Sequence, residues 1–309
     1  KIIIHKLKIK AVVIGYGSIG RKHLKILSEM EELEELFVLS KQEKVPYEAI
    51  NQIESVLKID PDYVIVSSPT SLHYEQLKFL DKNLQGKKIL VEKPLFSNLE
   101  DIEIKNNRVY IDYNLRFNPV IQSVKEIIRN QVIYSVNVFC GSDLRTWRDN
   151  ISYSNSSSAL KELGGGVLLE LSHELDYLRW VFGELEVTYA ENSKISELKI
   201  ETDDFLSLNG LLNSDIKLQL NLNYFSNIPI RRLIIDGKDI SLIADLIENS
   251  LRIWKKGEDE VKDFPDYQRD QSFKEVHSNI LYGRDENICT FREGLKVMEI
   301  INKIRKLST

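Results

Sequence analysis

A glycine-rich segment near the start of the chain has the residue types of a phosphate-binding turn. Residues 12–20 read VVIGYGSIG, so a β-branched run leads into the spacing G-x-G-x-x-G, and apolar residues at helical spacing follow. In such a turn the first glycine permits a tight turn, the second lets a pyrophosphate touch the main chain, and the third lets helix and strand pack closely. The N-terminus of the next helix offers N–H groups to the phosphates. The segment predicts a dinucleotide site, with a ligand-free glycine turn as the alternative; its residues are Gly15, Tyr16, Gly17, Ser18, Ile19 and Gly20.

The residues after the second predicted strand, 36–39, bear on the type of dinucleotide. NAD usually requires a carboxylate at this point to bond the ribose hydroxyls. The chain instead has Ser40 and Lys41, and Glu43 lies slightly beyond. A hydroxyl and a cation suit a 2′-phosphate, so the sequence favours NADP(H) over NAD(H). The alternative is that Lys41 is only a solvated surface residue.

Two more polar segments follow predicted strands. Residues 67–73 read SSPTSLH after the strand 63–66, and residues 91–94 read VEKP at the end of the strand 88–91. Both are expected at the carboxyl edge of a parallel sheet, where ligands bind in open α/β folds. A lysine beside apolar residues can have a lowered pKa and transfer protons, although taken alone Lys93 is more simply a surface lysine. The two segments add six residues to the predicted cofactor site: Ser68, Pro69, Thr70, His73, Glu92 and Lys93.

The predicted secondary structure that positions these residues differs between the two halves of the chain. Up to about residue 118, strand-like runs alternate with helix-like segments, which is typical of βαβ units and a parallel sheet. Beyond it, strands joined by short turns indicate an antiparallel sheet, and residues 167–180 predict one amphipathic helix. We therefore predict a Rossmann dinucleotide-binding domain over 1–116. An α+β substrate-binding and oligomerisation domain with a large, mostly antiparallel sheet would span 117–309, and packing of its C-terminal helix on the first domain is left open.

Composition excludes several classes of protein. The 309 residues include 42 Lys+Arg and 47 Asp+Glu, a net charge of −5, which argues against a general nucleic-acid binder. No apolar run approaches the roughly 18–20 residues of a membrane span, and residues 1–10 do not resemble a secretory signal. The two cysteines, Cys140 and Cys289, have no metal-binding spacing and fit a reducing compartment. We expect a cytoplasmic protein without nucleic-acid or membrane partners.

The order of these motifs resembles the glucose-fructose oxidoreductase and inositol dehydrogenase (Gfo/Idh/MocA) family. Residues 113–119, YNLRFNP, look like the segment that opens the family's second domain, and residues 164–176, GGGVLLELSHELD, are similar to its central-helix motif. The resemblance implies hydride transfer between nicotinamide C4 and a carbon of a sugar, sugar nucleotide or polyol. It implies that the catalytic residues are Lys93, which helps to move the proton of the reacting hydroxyl, and His173, an acid/base or substrate ligand. The variant of the central motif suggests surface-polysaccharide biosynthesis.

Candidate substrate residues lie mainly in the predicted second domain. An indole face stacks on sugars, and a guanidinium binds carboxylate or phosphate, although a plain surface loop is the alternative for 141–148. Residues 113 and 116 have a second interpretation, in which they simply join the domains. On one continuous helix, a carboxylate three residues before a histidine shares its face. The full set is Tyr113, Arg116, Trp147, Arg148, Lys161, Glu170 and His173.

Three further expectations complete the prediction. A single E-x-x-H lacks a convincing third ligand, so no metal site is predicted, and His5, His23 and His277 receive only surface or capping roles. The family usually has a full helix between residues 95 and 113, but here 97–103 leaves room for about two turns. The exposed face of the large sheet predicts a homodimer or homotetramer. The alternative function is a non-catalytic dinucleotide-binding regulator of the same fold.

Overall fold

The computed structural model describes residues 8–148 and 152–308, and the chain divides into two units. Unit 1 is Lys1–Asp112 with Phe273–Gly294, and unit 2 is Tyr113–Ser272 with Leu295–Thr309. The division therefore falls four residues before the predicted boundary, since 116 − 112 = 4. The segment 273–294, which the prediction assigned to the second domain, lies in unit 1.

Unit 1 is built on a seven-stranded sheet in the order β15-β6-β5-β4-β1-β2-β3, in which the edge strand β15 alone is antiparallel to its neighbour. This order, with crossover helices, confirms the predicted Rossmann fold. The strands are β1 (Ile9–Ile14), β2 (Leu33–Leu39), β3 (Glu48–Ile50), β4 (Tyr63–Val66), β5 (Lys88–Val91), β6 (Arg108–Ile111) and β15 (Cys289–Thr290). The helices are α1 (Ser18–Ser28), α2 (Ser55–Ile59), α3 (His73–Asn83) and α7 (Arg269–Tyr282).

The central strands of this sheet end at one level, which brings the polar residues that follow them together. Ile14 of β1 pairs with Val66 of β4, Val66 pairs with Val91 of β5, and Val91 pairs with Ile111 of β6. These strands are almost entirely buried and apolar, as expected for a parallel sheet that is covered on both faces. The next residue of each chain segment therefore lies at the carboxyl edge.

The connection between β5 and β6 contains no helix within its described residues, so the expected two turns over 97–103 are wrong. Asp81 at the end of α3 explains the course of this segment. Its carboxylate accepts the N–H groups of Lys105 and Asn106 at 3.0 and 3.1 Å, and its Oδ1 also accepts Asn107 Nδ2 at 3.0 Å. The Asp81 carboxylate thus gives these main-chain N–H groups the acceptors that a helix would otherwise provide.

Unit 2 contains an eight-stranded sheet in the order β14-β13-β12-β11-β7-β10-β9-β8. Only the central pair β7 and β10 is parallel, which confirms the mostly antiparallel prediction for the described residues. The strands are β7 (Ile133–Gly141), β8 (Leu185–Ser193), β9 (Phe205–Leu212), β10 (Ile216–Asn223), β11 (Ile230–Gly237), β12 (Ile240–Asp245), β13 (Ser250–Lys255) and β14 (Glu258–Asp263). The helices are α4 (Pro119–Ile128), α5 (Val167–Glu170), α6 (His173–Phe182) and α8 (Phe291–Leu307).

The single helix predicted over 167–180 is wrong, because the structure has two helices there. The first, α5, follows Gly166, whose φ of 117° favours glycine, and a Cβ there would lie 2.3 Å from Asp203 Oδ1. Asp203 Oδ2 then accepts the N–H of Leu168 at 2.9 Å. Helical bonding stops at Leu171 and resumes at His173. Apolar residues continue through the break, so the periodicity could not reveal it.

The three glycines of the first turn differ in whether the surrounding structure would accept a side chain. Gly15 has a φ of 106°, and a Cβ there would lie 2.7 Å from the Ser67 carbonyl oxygen. A Cβ on Gly20 would lie 2.1 Å from the Gly15 carbonyl oxygen. At Gly17 the φ is −75°, and a Cβ would meet no described atom within 4 Å. Packing therefore demands glycine at 15 and 20 but not at 17.

This difference gives a prediction about stability. We expect Gly20→Ala to lower the free energy of unfolding by about 3 kcal/mol or more, because the clash is with main chain that cannot rotate away. Gly17→Ala, the matched control, should cost about 1 kcal/mol or less, since alanine is merely a poorer N-cap than glycine. Urea unfolding followed by circular dichroism measures both. Equal losses for the two variants would contradict the assignment.

Candidate functional site

The carboxyl edge of unit 1 begins with the glycine turn between β1 and α1. Gly17 is exposed and forms the N-cap of α1, whose described first turn holds no acidic side chain. The carbonyl of Tyr16 accepts Arg21 Nη1 and Gln42 Nε2, each at 3.3 Å. These two side chains therefore hold the turn in place. The exposed N-terminus of α1 at Gly17, with its main-chain N–H groups, suits a phosphate.

The segment after β2 keeps a hydroxyl and a cation. Ser40 Oγ accepts the N–H of Gln42 at 3.1 Å, and the Ser40 N–H donates to Ile50 of β3. Lys41 and Glu43 are both exposed. The pairing with β3 fixes where β2 ends, and no carboxylate stands at the tip among the described residues.

His73 has a different place from the one predicted. It is completely buried, its Nε2 lies 3.0 Å from the Ser68 carbonyl oxygen, and its Nδ1 lies 3.2 Å from the carbonyls of Pro94 and Leu95. Burial lowers the pKa of this imidazole. The ring connects the turns after β4 and β5, so it shapes the predicted cofactor segment instead of presenting a side chain to a ligand. Pro69 and Thr70 form the outer part of the same turn.

Glu92 and Lys93 follow β5 at the same edge. Glu92 is only 7% exposed, its Oε1 accepts His23 Nε2 at 2.8 Å, and its Oε2 accepts the Lys93 N–H at 3.1 Å. Burial would raise the pKa of Glu92, but the hydrogen bond from His23, the charge of Lys93 and the neighbouring Asp112 together outweigh it and lower that pKa. Lys93 itself is half-buried.

Sequence reasoning missed two residues of this region. His23 and His277, to which it gave surface or capping roles, are both completely buried, and His23 Nδ1 lies 2.9 Å from His277 Nε2. Tyr63 Oη lies 2.9 Å from His277 Nδ1. The position of His23, eight residues after Gly15 in α1, was the one available signal, because it falls on the buried face of that helix.

The structure also brings together three groups of the kind that bind metals. Side-chain atoms of His23, Glu92 and Asp112 lie within 4.8 Å of one another, and all three residues are buried. The prediction of no metal site had considered the cysteines and the residues around Glu170 and His173, but not these three groups. The His23 nitrogen nearest these carboxylates is already hydrogen-bonded to Glu92, so the arrangement is one of internal hydrogen bonds.

In unit 2, His173 begins α6 and is 6% exposed. Its ring meets that of Tyr113 edge to face, with centroids 5.6 Å apart, and the Tyr113 hydroxyl donates to Ser172 Oγ at 3.4 Å. Two of the predicted substrate residues are thus in contact. Arg116, a third, is 1% exposed, and Asp176 accepts its Nε and Nη2 at 2.9 and 2.7 Å. That geometry favours the structural interpretation of Arg116.

The argument that one continuous helix pairs Glu170 with His173 does not apply, because α5 ends at Glu170 and α6 begins at His173. The pairing itself stays a prediction. Glu170 accepts a hydrogen bond from Ser158 Oγ at 2.8 Å. Lys161 is exposed on a short 3-10 turn before the second glycine cluster. Trp147 donates its indole N–H to Ser142 at 2.8 Å and packs its ring against Tyr224, with centroids 5.2 Å apart. A shallow depression with no room for a water molecule is lined by Leu144, Trp147, Arg148, Tyr153, Ser156 and Ser158.

No helix in the described part of the chain combines the length and apolar character needed to cross a membrane. Both cysteines are buried and belong to no disulfide, and burial raises the pKa of Cys140 well above its ordinary range.

Similar proteins are found both by sequence and by fold. The chain is 29% identical over 205 residues to an uncharacterized oxidoreductase of Synechocystis sp., covering 60% of this chain and 54% of that protein. It is 25% identical over 203 residues to the uncharacterized oxidoreductase YrbE of Bacillus subtilis, covering 59% and 57%. The matched region thus spans about half the length of these curated relatives.

Solved structures share the fold across nearly the whole chain. The WlbA dehydrogenase of Bordetella pertussis, in complex with NADH and UDP-GlcNAcA, has a TM-score of 0.80 at 20% identity and covers 97% of this chain and 96% of its own. UDP-N-acetylglucosamine 3-dehydrogenase GnnA of Acidithiobacillus ferrooxidans has a TM-score of 0.79 at 18% identity, covering 97% and 98%. A levoglucosan dehydrogenase in complex with NADH and levoglucosan has a TM-score of 0.84 at 15% identity, covering 97% of each chain.

Two family models account for most of the chain. Residues 9–106 match the oxidoreductase family model with an NAD-binding Rossmann fold, and residues 121–243 match the C-terminal domain of the same family. Both matches agree with the resemblance drawn from the motifs. The chain belongs to the GFO/IDH/MocA oxidoreductase family.

Proposed function

We propose that the chain is a nicotinamide-dependent dehydrogenase or reductase that acts on a CH–OH carbon of a sugar, sugar nucleotide or polyol. The observation that carries the proposal is Gly17, an exposed N-cap glycine that the fold itself does not require. A side chain at this position would intrude on a phosphate at the start of α1. Family membership and the nicotinamide named in complexes of the structural neighbours support the same cofactor class.

Within this proposal, Lys93 and His173 handle the proton of the reacting hydroxyl. When bound, the nicotinamide supplies or accepts the hydride. Lys93 follows a buried strand and has its main chain fixed by Glu92, which suits a side chain that must meet one substrate atom. His173 is held against Tyr113 and acts as a second acid/base or as a substrate ligand.

Unit 2 is proposed to recognise the sugar. Trp147 presents an indole beside the guanidinium of Arg148, a combination that suits a sugar ring and a phosphate. Tyr113, Lys161 and Glu170 remain candidates for substrate hydroxyls. Two of the neighbours carry a UDP-sugar in their names, which supports a sugar nucleotide and a role in surface-polysaccharide biosynthesis. The two buried thiols support a cytoplasmic location.

The preferred cofactor is proposed to be NADP(H), and a binding experiment tests this. Calorimetric titration should give tighter binding of NADPH than of NADH. Lys41→Ala should weaken NADPH about tenfold, the effect of about 1.4 kcal/mol lost with a charge-assisted hydrogen bond, and should leave NADH unchanged. Gly17→Ala should weaken both. The exposed Lys82→Ala in α3 is the matched control.

Two outcomes would contradict parts of this proposal in different ways. A preference for NADH would move the ribose contact away from Ser40 and Lys41, toward Glu43. Binding of neither dinucleotide by a folded sample would remove the basis of the enzyme assignment itself.

The role of Lys93 is tested by turnover. A panel of sugars, polyols and UDP-sugars is offered with the preferred dinucleotide, and nicotinamide oxidation or reduction is followed by absorbance. Lys93→Ala should reduce kcat about 10²–10⁴-fold, the usual contribution of a positioned acid or base, with the dinucleotide Kd nearly unchanged. Lys82→Ala should behave as the unmodified protein does. Full activity in Lys93→Ala would rule out the proton-transfer role.

We propose a homodimer or homotetramer through the open face of the large sheet. By strand register, four exposed apolar side chains lie on one row across it, at Tyr189, Ile234, Ile243 and Val261. Ile234 and Ile243 are neighbours in this row, and polar residues separate them from Tyr189 and Val261. Exposed apolar side chains on a sheet face are commonly covered by association.

Light scattering at micromolar concentration should give the mass of at least two chains. Ile234→Lys should reduce it to that of one chain, because a charge is placed in the apolar row. Ile195→Lys, at an exposed isoleucine after β8, is the control and should leave the mass unchanged. A monomeric mass for the unmodified protein would refute association.

A further inference from the structure

Four side chains of unit 1 form a continuous line of hydrogen bonds. Tyr63 Oη lies 2.9 Å from His277 Nδ1, His277 Nε2 lies 2.9 Å from His23 Nδ1, and His23 Nε2 lies 2.8 Å from Glu92 Oε1. The first three residues are fully buried and Glu92 is 7% exposed. They come from β4, α7, α1 and the turn after β5, so residues distant in sequence meet at one point.

The Tyr63 hydroxyl determines which atom donates and which accepts in each of these bonds. Within the described chain, His277 Nδ1 is the acceptor available to the buried Tyr63 hydroxyl, and leaving that O–H without an acceptor would cost free energy comparable to a lost hydrogen bond. His277 Nδ1 therefore carries a lone pair and Nε2 carries the proton. That N–H donates to His23 Nδ1, so His23 in turn has its proton on Nε2 and donates to Glu92. With the bonds in this direction each imidazole carries one proton, on Nε2, and Glu92 accepts as a carboxylate.

Burial keeps Tyr63 and His277 neutral, while His23 Nε2 lies between two buried carboxylates, 2.8 Å from Glu92 and 3.7 Å from Asp112. Burial lowers the pKa of His277 well below its ordinary value and raises that of Tyr63 well above it, which keeps both neutral. Around Glu92, the neighbouring titratable groups are His23, Asp112, Lys93 and His73. Burial raises the pKa of Glu92, but His23, Lys93 and Asp112 together lower it below its usual value.

The second oxygen of Glu92 links this line to the candidate reacting group. Glu92 Oε2 accepts the Lys93 main-chain N–H at 3.1 Å, while Oε1 is held by His23. With both oxygens held by fixed donors, the carboxylate cannot rotate without losing a bond. The main chain at Lys93 is therefore restrained by a line of contacts that ends at Tyr63.

Two other uses of these residues fit less well. A proton passed along the line would arrive at Tyr63, which has no exposure to solvent from which it could leave. A metal between His23, Glu92 and Asp112 would need a lone pair on His23 Nε2, the atom that the bond direction assigns a proton. The line is thus suited to orientation.

We propose that Tyr63 and His277 are positioning residues, which act through His23 to hold Glu92 ionised and in one orientation and thereby place Lys93. The catalytic part of this inference rests on the proposed function, in which Lys93 moves the substrate proton. The tautomers of the two histidines do not depend on that function and can be measured separately.

The first experiment is nuclear magnetic resonance of the full chain labelled with ¹⁵N-histidine. The chain has five histidines, so single His→Gln variants assign the spectrum. His23 and His277 should both be neutral with the proton on Nε2 at neutral pH. Tyr63→Phe should shift the signals of both rings. Tyr110→Phe, which removes a hydroxyl bound to Asp285 in the same unit, is the matched control and should shift neither.

A protonated ring, or an Nδ1–H tautomer at either histidine, would overturn the direction of the line. Signals of His23 and His277 that do not shift in Tyr63→Phe would also overturn it. Because this readout needs no substrate, a failure here differs from a failure of the proposed function, which would appear as absence of turnover or dinucleotide binding in the unmodified protein.

The second experiment separates positioning from simple support of the fold. Tyr63→Phe and His277→Leu should lower kcat about tenfold to a hundredfold, the effect of a misplaced reacting group, with KM and dinucleotide Kd within about twofold. His277→Gln, which can both accept from Tyr63 and donate to His23, should recover most of kcat. Tyr110→Phe should retain full kcat.

Wild-type kcat in Tyr63→Phe would overturn the proposal. So would equal losses in His277→Gln and His277→Leu, since the rescue depends on the hydrogen bonds. If His277→Leu does not fold, Tyr63→Phe, which keeps the ring in place, decides the question.

Discussion

The buried carboxylate of Glu92 constrains much of what surrounds it in unit 1. A charge removed from water is stable only when each oxygen has a donor. One donor is the main chain of Lys93, and the other is His23 of α1. Since His23 then needs a partner for its second nitrogen, the constraint extends to His277, which α7 supplies from the far end of the sequence. The segment 273–294 therefore completes the hydrogen bonding of His23, a residue 254 positions before His277.

The same constraint shapes unit 2, where two carboxylates on α6 are buried. Glu174 accepts Arg231 of β11 at 2.6 and 2.9 Å, and Asp176 accepts Arg116 through two bonds. Planar guanidinium forks pair with carboxylates in one relative orientation, so they fix the helix about its axis. His173 lies on the first turn of that helix, and its ring position against Tyr113 follows from the same pairs.

Local patterns predicted much of the fold and part of the candidate site. The spacing of Gly15, Gly17 and Gly20 assigns each glycine a role, and the structure gives steric reasons at two of them. The ends of the parallel strands could be predicted because a short apolar run such as residues 63–66 leaves little choice of where the strand stops. The links between distant residues could not be predicted. Nothing near His23 in sequence indicates that a histidine 254 positions later completes its bonding.

The break between α5 and α6 escaped prediction for a related reason. Asp203, from a separate segment, occupies the space beside Gly166 and takes the N–H of Leu168. The apolar pattern through 167–180 reports burial, which both helices share, and carries no information about the main-chain turn at Leu171. Asp203 thus fixes the start of α5, whereas the break lies after Glu170. A periodicity argument identifies the buried face and does not register a short main-chain break within it.

Some predicted site residues are held by partners within the fold, whereas the fold does not require the residue type found at others. This difference guides the functional assignment. His73 and Arg116 were attractive as ligand-binding residues by type, but the structure engages both with buried partners in their own unit. Gly17 is different, because the fold around it would accept a side chain. A glycine at a position where its own chain leaves room for a side chain fits a ligand that occupies this space, as proposed. Since that space adjoins the N-terminus of a helix, its occupant should carry negative charge, which is what the phosphates of a dinucleotide provide.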